Sequence, residues 1–418
     1  MNKKKINIFK GDKVVWMVFF FLCMISLVEV FSASSNLTYK SQNYMKPILF
    51  HAGTVFAGLV VAVLTLNIPC KYFKVLTLPM IFVSVVTLLW VLIGGDTING
   101  ANRVISLGFF TFQPSEIAKG TIVLCTAQIL SAMQREDGAD PMAFKYILFV
   151  SVPMVFLIML ENLSTAALLA LVVILMMFIG RVPMRQMGKL MAVLGGILVV
   201  GLTFIMLAGG DPAQEEKLSA TNRIEQTQKD KSKIDKLFHR ATTWKGRISK
   251  FMVSKDTPVD SVDLDKDMQE VHASIAIVSS NIIGKGPGNS VERDYLPQAF
   301  SDFIYAIIIE EMGIVGATFV VFLYIILLYR AARIASQCEN NFPAMLVMGL
   351  VLLLVVQAVF NMLVAVGLVP VTGQPLPLIS KGGTSTIVNG AYIGAILSVS
   401  RWAKKKKDKG VKPATVAA

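Results

Sequence analysis

The stretch GKGPGNSVERDYLPQAFSDFIYAIIIEEMGIVG, residues 284–316, places charged groups inside an apolar helix and thereby decides the fold class. A glycine-rich segment is followed by a lone carboxylate, Asp302, and then by a hydrophobic helix that carries Glu310 and Glu311. A charged side chain inside a bilayer costs about 2.5–3.5 kcal/mol on insertion scales, and such residues persist where they face a polar cavity. Asp302 is therefore the first candidate for a chemical centre.

The composition of the whole chain is that of a membrane protein. Of its 418 residues, 54% are hydrophobic and 16% are charged, whereas soluble domains carry about 25% charged residues. Apolar runs of roughly twenty residues, each long enough to cross a bilayer, recur along the chain. The sequence therefore predicts an all-α polytopic membrane protein with about ten transmembrane helices, near residues 14–34, 47–68, 73–94, 115–133, 144–160, 163–180, 188–208, 303–329, 343–366 and 382–401.

The distribution of basic residues predicts the topology of the chain. Lysine and arginine are concentrated at both termini and in every second connection, which places both termini in the cytoplasm. This placement also accounts for the net charge of +13, so nucleic acid is not an expected partner. The predicted organisation is a cytoplasmic tail (1–13), helices one to seven (14–208), a large periplasmic or extracellular loop (209–302), helices eight to ten (303–401) and a basic cytoplasmic tail (402–418).

The first external connection, residues 95–114, leads into a helix that carries a candidate ion pair. Pro114 suits the first turn of that helix, and Glu116 and Lys119 are three residues apart, so they share a face and can pair. Arg103 lies just upstream. Two interpretations stay open: an ion pair that neutralises itself at a helix end, or a basic site at which Arg103 and Lys119 bind a phosphate-bearing ligand.

Helical geometry distinguishes the acids that follow Asp302. Residues of a helix advance by 100° each, so Glu310 lies about 80° round from Asp302, whereas Glu311 lies on the opposite face. We therefore expect Glu310 rather than Glu311 to face the same cavity. Gln357 and Asn361, which are four residues apart on a later helix face, are further candidates to line it.

An irregular segment, VPVTGQPLPLISKGGTS (369–385), interrupts the C-terminal apolar region. Its three prolines and three glycines predict non-helical backbone, which membrane proteins tolerate where it is buried in protein or lines a cavity. Ser380 and Lys381, beside Gly382 and Gly383, offer backbone N–H groups and a cation to a phosphate.

Three segments in this order resemble the SEDS family (shape, elongation, division and sporulation). They are Asn99–Lys119 (NGANR…FQPSEIAK), Gly284–Gly316 and Pro370–Thr384 (PVTGQPLPLISKGGT). The resemblance covers nearly the whole chain, including the ten spans and the long loop between the seventh and eighth. The end of the first span, VEVFSASS, is similar to the FtsW branch. The turn LENLSTA (160–166) departs from the family's frequent QPDLGT, which leaves the role of Glu161 and Asn162 open.

The resemblance implies a glycosyltransferase that polymerises lipid II into peptidoglycan glycan strands. By position, Asp302 matches the family's essential aspartate. The other matches are residues of the central cavity and its glycine-rich edge: Arg103, Glu116, Lys119, Ser380, Gly382 and Gly383. Lys381 occupies a position often filled by an aromatic residue. Asp302 is then expected to act as general base. Arg103 and Lys119, or a divalent cation (Mg²⁺ or Mn²⁺), are expected to stabilise the departing undecaprenyl pyrophosphate.

The same resemblance implies partners and a location. These are lipid II, the nascent glycan strand, membrane lipid, a class B penicillin-binding protein (a transpeptidase) and other division proteins. The location is the bacterial cytoplasmic (inner) membrane, at the division septum. Three alternatives stay open: a lipid II flippase or transporter, since charged groups in a helical bundle also mark transport paths, an elongation-type (RodA-like) polymerase, and a scaffold without enzymatic activity.

Overall fold

A computed structural model describes residues 10–33, 45–98, 101–106, 111–208, 268–296 and 299–410. Most of the predicted external loop, and both chain ends, lie outside these residues. The described helices are α1 (Lys13–Ala33), α2 (Met45–Asn67), α3 (Cys70–Gly94), α4 (Pro114–Ala132), α5 (Pro141–Glu161), α6 (Leu163–Ile179), α7 (Met184–Ala208), α8 (Met268–Val278), α9 (Ile304–Ser336), α10 (Asn341–Ala365) and α11 (Gly383–Gly410).

A helix covers each of the ten predicted segments, and α8 lies in the predicted external loop. By length and composition, seven of the described helices can cross a membrane: α1, α2, α3, α5, α7, α9 and α10. The helix α6 is apolar but shorter. The polytopic all-α fold class is thus confirmed, whereas the count of ten spans and the extent of the external loop stay predictions.

Local sequence signals set several helix ends. Pro114 and Pro141 occupy the first turns of α4 and α5, where a missing N–H leaves no hydrogen bond unmade. The Asn162 side chain caps α6 because its Oδ1 accepts from the Ser164 N at 3.0 Å and the Thr165 N at 3.3 Å. The polar turn between α5 and α6 therefore has a capping role.

The helix α10 lies at the centre of the bundle. It packs against α4, α6, α9 and α11, and 61% of its apolar window is buried, the largest share among the seven span-length helices. A small antiparallel sheet precedes α4 and consists of β1 (Asp96–Ile98), β2 (Ala101–Ser106) and β3 (Thr111–Phe112), in the order β1-β2-β3.

The helices α2 and α11 approach each other backbone to backbone. A Cβ atom on Gly390 would lie 2.3 Å from the Gly58 main-chain O, and one on Gly394 would lie 2.5 Å from the Ala62 main-chain O. Spacing of glycines by four residues is the usual means by which membrane helices come this close. The contact fixes α11, whose first residues adjoin the irregular segment.

The helix α9 is broken at Gly313, which the sequence pattern did not predict. Gly313 has φ 67° and ψ −172°, values open to glycine and strained for other residues. The loop that follows α8 fits into the break: the Val315 N donates to the Ile282 O at 3.3 Å, and the Gly286 N donates to the Glu311 O at 2.8 Å. On the loop side, Gly284 has φ 84°, and a Cβ atom there would lie 2.3 Å from the Glu311 main-chain O.

Two fully buried acids hold this loop. Glu311 accepts from the Gly288 N at 3.0 Å and the Ser290 N at 3.2 Å. Glu310 accepts from the Lys285 Nζ at 2.6 Å and from the Ser290 Oγ. Charged acceptors with several donors are the strong class of hydrogen bonds. We call Glu310, Glu311 and these contacts the glutamate clamp.

Replacing Gly313 with alanine tests the break. The new Cβ would lie 2.3 Å from the Ile282 O at a backbone conformation that costs about 1–3 kcal/mol for other residues. We expect Gly313→Ala to lower the thermal unfolding midpoint in detergent. Gly53→Ala is the matched control, because a Cβ at Gly53 of α2 meets nothing within 4 Å. Equal midpoints for the two variants would contradict a structural role of the break.

Candidate functional site

Asp302 lies in the turn immediately before α9 and is half-buried. Its carboxylate Oδ1 accepts from the Ser301 Oγ at 3.0 Å, and its main-chain O accepts from the Asn361 Nδ2 at 2.8 Å. The other carboxylate oxygen, Oδ2, lies 3.5 Å from where a Cβ on Gly373 would stand. The irregular segment between α10 and α11 therefore passes directly beside the Asp302 carboxylate.

Side chains from the surrounding helices satisfy the backbone of this segment. Its carbonyl groups accept from four donors on three helices: Asn361 Nδ2 to Gln374 O at 2.7 Å, Gln357 Nε2 to Pro375 O at 3.0 Å, Tyr324 Oη to Pro377 O, and Ser26 Oγ to Ile379 O at 2.6 Å. Leu378, with φ 68°, is a non-glycine residue in the left-handed region. Such a residue persists only where its surroundings fix it.

Glu116 and Lys119 form a buried ion pair. The Lys119 Nζ lies 2.9 Å from the Glu116 Oε1, and both side chains are almost fully buried. The same ammonium donates to the Gln357 Oε1 at 2.9 Å. The Tyr392 hydroxyl of α11 donates to the Glu116 main-chain O at 2.6 Å. The ion pair expected from the spacing of the two residues is therefore present within α4, and the bond from Lys119 to Gln357 ties α4 to α10.

One face of α10 joins this ion pair to Asp302. Gln357 and Asn361 are successive residues on that face, and both are buried. Gln357 bonds both Lys119 and the Pro375 O, whereas Asn361 bonds both Asp302 and the Gln374 O. Two sets of hydrogen bonds, one from the α4 ion pair and one from the Asp302 main chain, thus end on adjacent carbonyl groups of the irregular segment, those of Pro375 and Gln374.

The residues at the end of the irregular segment lie against the chain just before Asp302. The Ser380 Oγ donates to the Ser301 O at 2.6 Å, and the Lys381 N donates to the Phe300 O at 2.9 Å. The Lys381 ammonium lies 4.8 Å from the centre of the Phe300 ring, a cation–π distance. Ser380 and Lys381 therefore flank the turn that carries Asp302.

Gly382 and Gly383 form the transition into α11. The Gly382 O accepts from the Thr386 N at 3.2 Å and so begins the helix. A Cβ on Gly382 would lie 2.2 Å from the Ser385 Oγ, whereas one on Gly383 would meet the Thr111 Oγ1 at an ordinary 3.9 Å. A Cβ atom at Gly382 would therefore require the Ser385 side chain to move, whereas Gly383 has room for one. Any contact of either glycine with a phosphate stays a prediction.

Of the predicted site residues, Glu310 belongs to a different cluster, and Arg103 is described only by its main chain. The Glu310 carboxylate belongs to the glutamate clamp, where it contacts Lys285 and Ser290. Glu311 belongs to the same clamp, so the two neighbouring acids share one role that the rotation argument did not predict. The main chain of Arg103 lies in β2, and its side chain is outside the described part of the chain.

Metal binding stays open at this site. Among the residues that the structure describes, three or more His, Cys, Asp or Glu side chains nowhere come together to form a metal site. A divalent cation bound mainly through substrate phosphates needs no such cluster, because Mg²⁺ is commonly held by one or two carboxylates together with substrate phosphates. The expected Mg²⁺ or Mn²⁺ therefore stays a prediction.

Gln374 and Thr165 contribute to the site, although the sequence pattern did not predict them. The Gln374 Nε2 donates to the Thr165 Oγ1 at 2.7 Å, and both side chains are buried. This bond ties the irregular segment to the first turn of α6, which Asn162 caps. The only signal in the sequence was an amide side chain between Gly373 and Pro375, in a segment too irregular for helical spacing to apply.

A double substitution tests the buried ion pair. Lys119→Met leaves the Glu116 carboxylate buried without its cation, and removing one partner of a buried pair costs about 3–5 kcal/mol. We expect this variant to have a clearly lower thermal unfolding midpoint in detergent. The double variant Glu116→Gln with Lys119→Met removes both charges, so we expect it to regain much of the loss. Equal midpoints for the single and double variants would show that the pair is not electrostatically coupled.

The chain is similar to known proteins along almost its full length. The profile of the cell cycle protein family FtsW/RodA/SpoVE matches residues 12–405. The probable peptidoglycan glycosyltransferase FtsW of Haemophilus influenzae is 30% identical over 396 residues, which cover 93% of this chain and 90% of that protein. The protein of the same name from Trichlorobacter lovleyi is 27% identical over 413 residues, with 95% of each chain covered.

Solved structures share the fold. A chain from a peptidoglycan synthase complex, described as coordinating polymerization and crosslinking, superposes with a TM-score of 0.64 at 23% identity, covering 94% of this chain and 98% of that one. The rod shape determining protein RodA of Thermus thermophilus superposes with a TM-score of 0.62 at 22% identity, covering 94% and 97%. The resemblance found in the sequence motifs is thus confirmed, and the chain is a multi-pass membrane protein that belongs to the FtsW/RodA/SpoVE (SEDS) family.

Proposed function

We propose that this protein is a peptidoglycan glycosyltransferase that polymerises lipid II. The names of its relatives from Haemophilus influenzae and Trichlorobacter lovleyi support this activity. The observation that carries the proposal is the placement of Asp302. Its carboxylate is half-buried at the start of α9, oriented by Ser301 and flanked by the irregular segment, while its main chain is held by Asn361.

In the proposed reaction Asp302 is the general base. Its carboxylate removes the proton from the 4-hydroxyl of the acceptor sugar while that oxygen attacks the anomeric carbon of the donor. The bond from this carbon to undecaprenyl pyrophosphate breaks, and the pyrophosphate leaves with the electron pair. A single displacement inverts the anomeric centre, so one carboxylate suffices. A positioned base of this kind contributes about 10²–10⁴-fold to the rate.

Cations near the site would stabilise the leaving group. Lys119 is buried beside Gln357, Lys381 flanks the Asp302 turn, and the main chain of Arg103 lies in the sheet before α4. Fixed positive charge in a site shielded from water stabilises a developing anion more strongly than it does in bulk solvent. We assign Arg103 and Lys119, or a divalent cation, to the pyrophosphate, and Ser380, Lys381, Gly382 and Gly383 to the substrate-binding edge.

Embedding in the membrane suits a lipid-linked donor. We propose that the protein lies in the cytoplasmic membrane with both termini inside and acts in septal synthesis during division. We further propose that it works with a class B penicillin-binding protein and other division proteins. The fold shared with a chain of a complex that couples polymerization and crosslinking supports such a partner. The fold shared with RodA keeps an elongation role as the alternative.

A lipid II flippase is the second candidate function. The observation that favours it is the buried Glu116–Lys119 pair, because ionisable residues inside helical bundles also mark transport paths. Transport and polymerisation differ in their products, and one reconstituted system distinguishes them.

The test is polymerisation of labelled lipid II by the full-length protein together with a class B transpeptidase partner. We expect Asp302→Asn to lose at least about 100-fold in rate, because an amide is a very weak base. The thermal midpoint should change little, since Asn361 binds the main chain and the Ser301 hydroxyl can donate to an amide oxygen as it does to the carboxylate. Asp137→Asn, an exposed residue in the turn before α5, is the matched control and should polymerise normally.

Two outcomes would contradict the proposal. Equal polymerisation by Asp302→Asn and the unmodified protein would show that Asp302 is not the base. Movement of lipid II across liposomes, without glycan polymer in any condition, would establish the flippase instead.

A further inference from the structure

An exposed group of branched aliphatic residues lies on α8 and the loop that follows it. We call Ile275, Val278, Ile282 and Ile283 the apolar turn. Val278, Ile282 and Ile283 are 84%, 70% and 81% exposed among the described residues. The opposite face of α8 is covered, because Ala273 and Ala276 are buried and α8 packs against α9. A large exposed apolar patch marks an interaction surface.

The apolar turn adjoins the exposed surface of a membrane-spanning helix. The Val315 N of α9 donates to the Ile282 O at 3.3 Å, which places the turn at the break in this helix. Ile314 and Val315 are themselves 58% and 60% exposed, and α9 is long and apolar enough to cross the membrane. One continuous apolar surface therefore extends from the lipid-facing side of α9 onto the external turn.

The length of α9 fixes the depth of this surface. Arg330 forms an ion pair with Asp12, which precedes α1, so this end of α9 lies at a polar boundary. From Arg330 back to Gly313 the helix rises by about 26 Å at 1.5 Å per residue. The hydrocarbon core is about 30 Å thick. Gly313 and the apolar turn beside it therefore lie close to the opposite boundary, at the Asp302 end of the helix.

The loop backbone cannot turn these side chains away from the membrane. The glutamate clamp holds Lys285, Gly288 and Ser290 on α9, and Gly284 contacts the Glu311 and Gly313 backbone. Lys285, three residues after Ile282, points its ammonium to Glu310. A cationic head beside aliphatic side chains is typical of a segment at the lipid–water boundary.

We propose that the apolar turn inserts into membrane lipid at the boundary on the Asp302 side. It anchors the loop that leads to Asp302 at a fixed depth, independently of any protein partner. The occupant of this surface is the acyl chains and glycerol region of the bilayer, since the patch continues the lipid-facing surface of α9.

Spin labelling tests the proposal without any assay of enzyme activity. Cys23, Cys70, Cys125 and Cys338 are free and are replaced by alanine in the full-length chain. Ile283→Cys is then labelled, and the protein is reconstituted into nanodiscs of palmitoyl-oleoyl phosphatidylethanolamine and phosphatidylglycerol. Power-saturation electron paramagnetic resonance measures access of oxygen, which partitions into lipid, and of a nickel chelate, which stays in water.

Two reference sites calibrate the result. Val315→Cys labels the exposed surface of α9, and Asn289→Cys labels an exposed polar position of the same loop. We expect the oxygen-to-nickel access ratio at Ile283→Cys to match Val315→Cys and to exceed Asn289→Cys several-fold. Val278→Cys, at the last residue of α8, provides a second site if Ile283→Cys lowers the yield of folded protein.

Two other outcomes would overturn the proposal. High nickel access, equal to that of Asn289→Cys, would show a surface facing water, and a fall in that access on adding a transpeptidase would assign it to a protein partner. Low access to both reagents would show that another part of the chain, such as residues 209–267, covers the turn.

Discussion

The structure depends on satisfying irregular backbone inside an apolar bundle. An unpaired carbonyl in a membrane cannot bond to water, and each such group costs several kcal/mol. The segment between α10 and α11 meets this requirement with side chains, since Gln357, Asn361, Tyr324 and Ser26 all donate to its carbonyl groups. Asn361 also donates to the Asp302 main chain. One of the side chains that stabilise the segment therefore also positions the candidate catalytic residue.

At the break in α9 the groups that need partners are hydrogen-bond donors of a loop rather than carbonyl groups. Buried polar side chains again supply the partners. There the acids Glu310 and Glu311 accept from N–H, hydroxyl and ammonium groups of an external loop. Buried polar side chains therefore hold both the Asp302 main chain, through Asn361, and the loop that precedes the Asp302 turn, through Glu310 and Glu311. Buried charged residues thus serve structure as well as chemistry, and a buried acid in a membrane protein does not by itself identify a catalytic group.

Helical spacing predicted those features of the site that lie on one helix. The Glu116–Lys119 pair and the shared face of Gln357 and Asn361 follow from residues three and four apart. Spacing could not predict that Gln374 bonds Thr165, because two segments distant in sequence meet there. It also did not predict the role of Glu310, since the rotation argument began the helix at Asp302, whereas the helix begins at Ile304 and Asp302 lies in the turn before it.

The glycine contact between α2 and α11 has a consequence for the whole site. Because Gly390 and Gly394 bring the two backbones together, the helices cannot slide along each other or rotate without a collision of main-chain atoms. The position of α11 along and around its axis is therefore fixed by α2, a helix that carries none of the candidate site residues. The proposed substrate-binding edge at 380–383 directly precedes α11, so its position relative to the Asp302 turn depends on the glycine contact between α2 and α11.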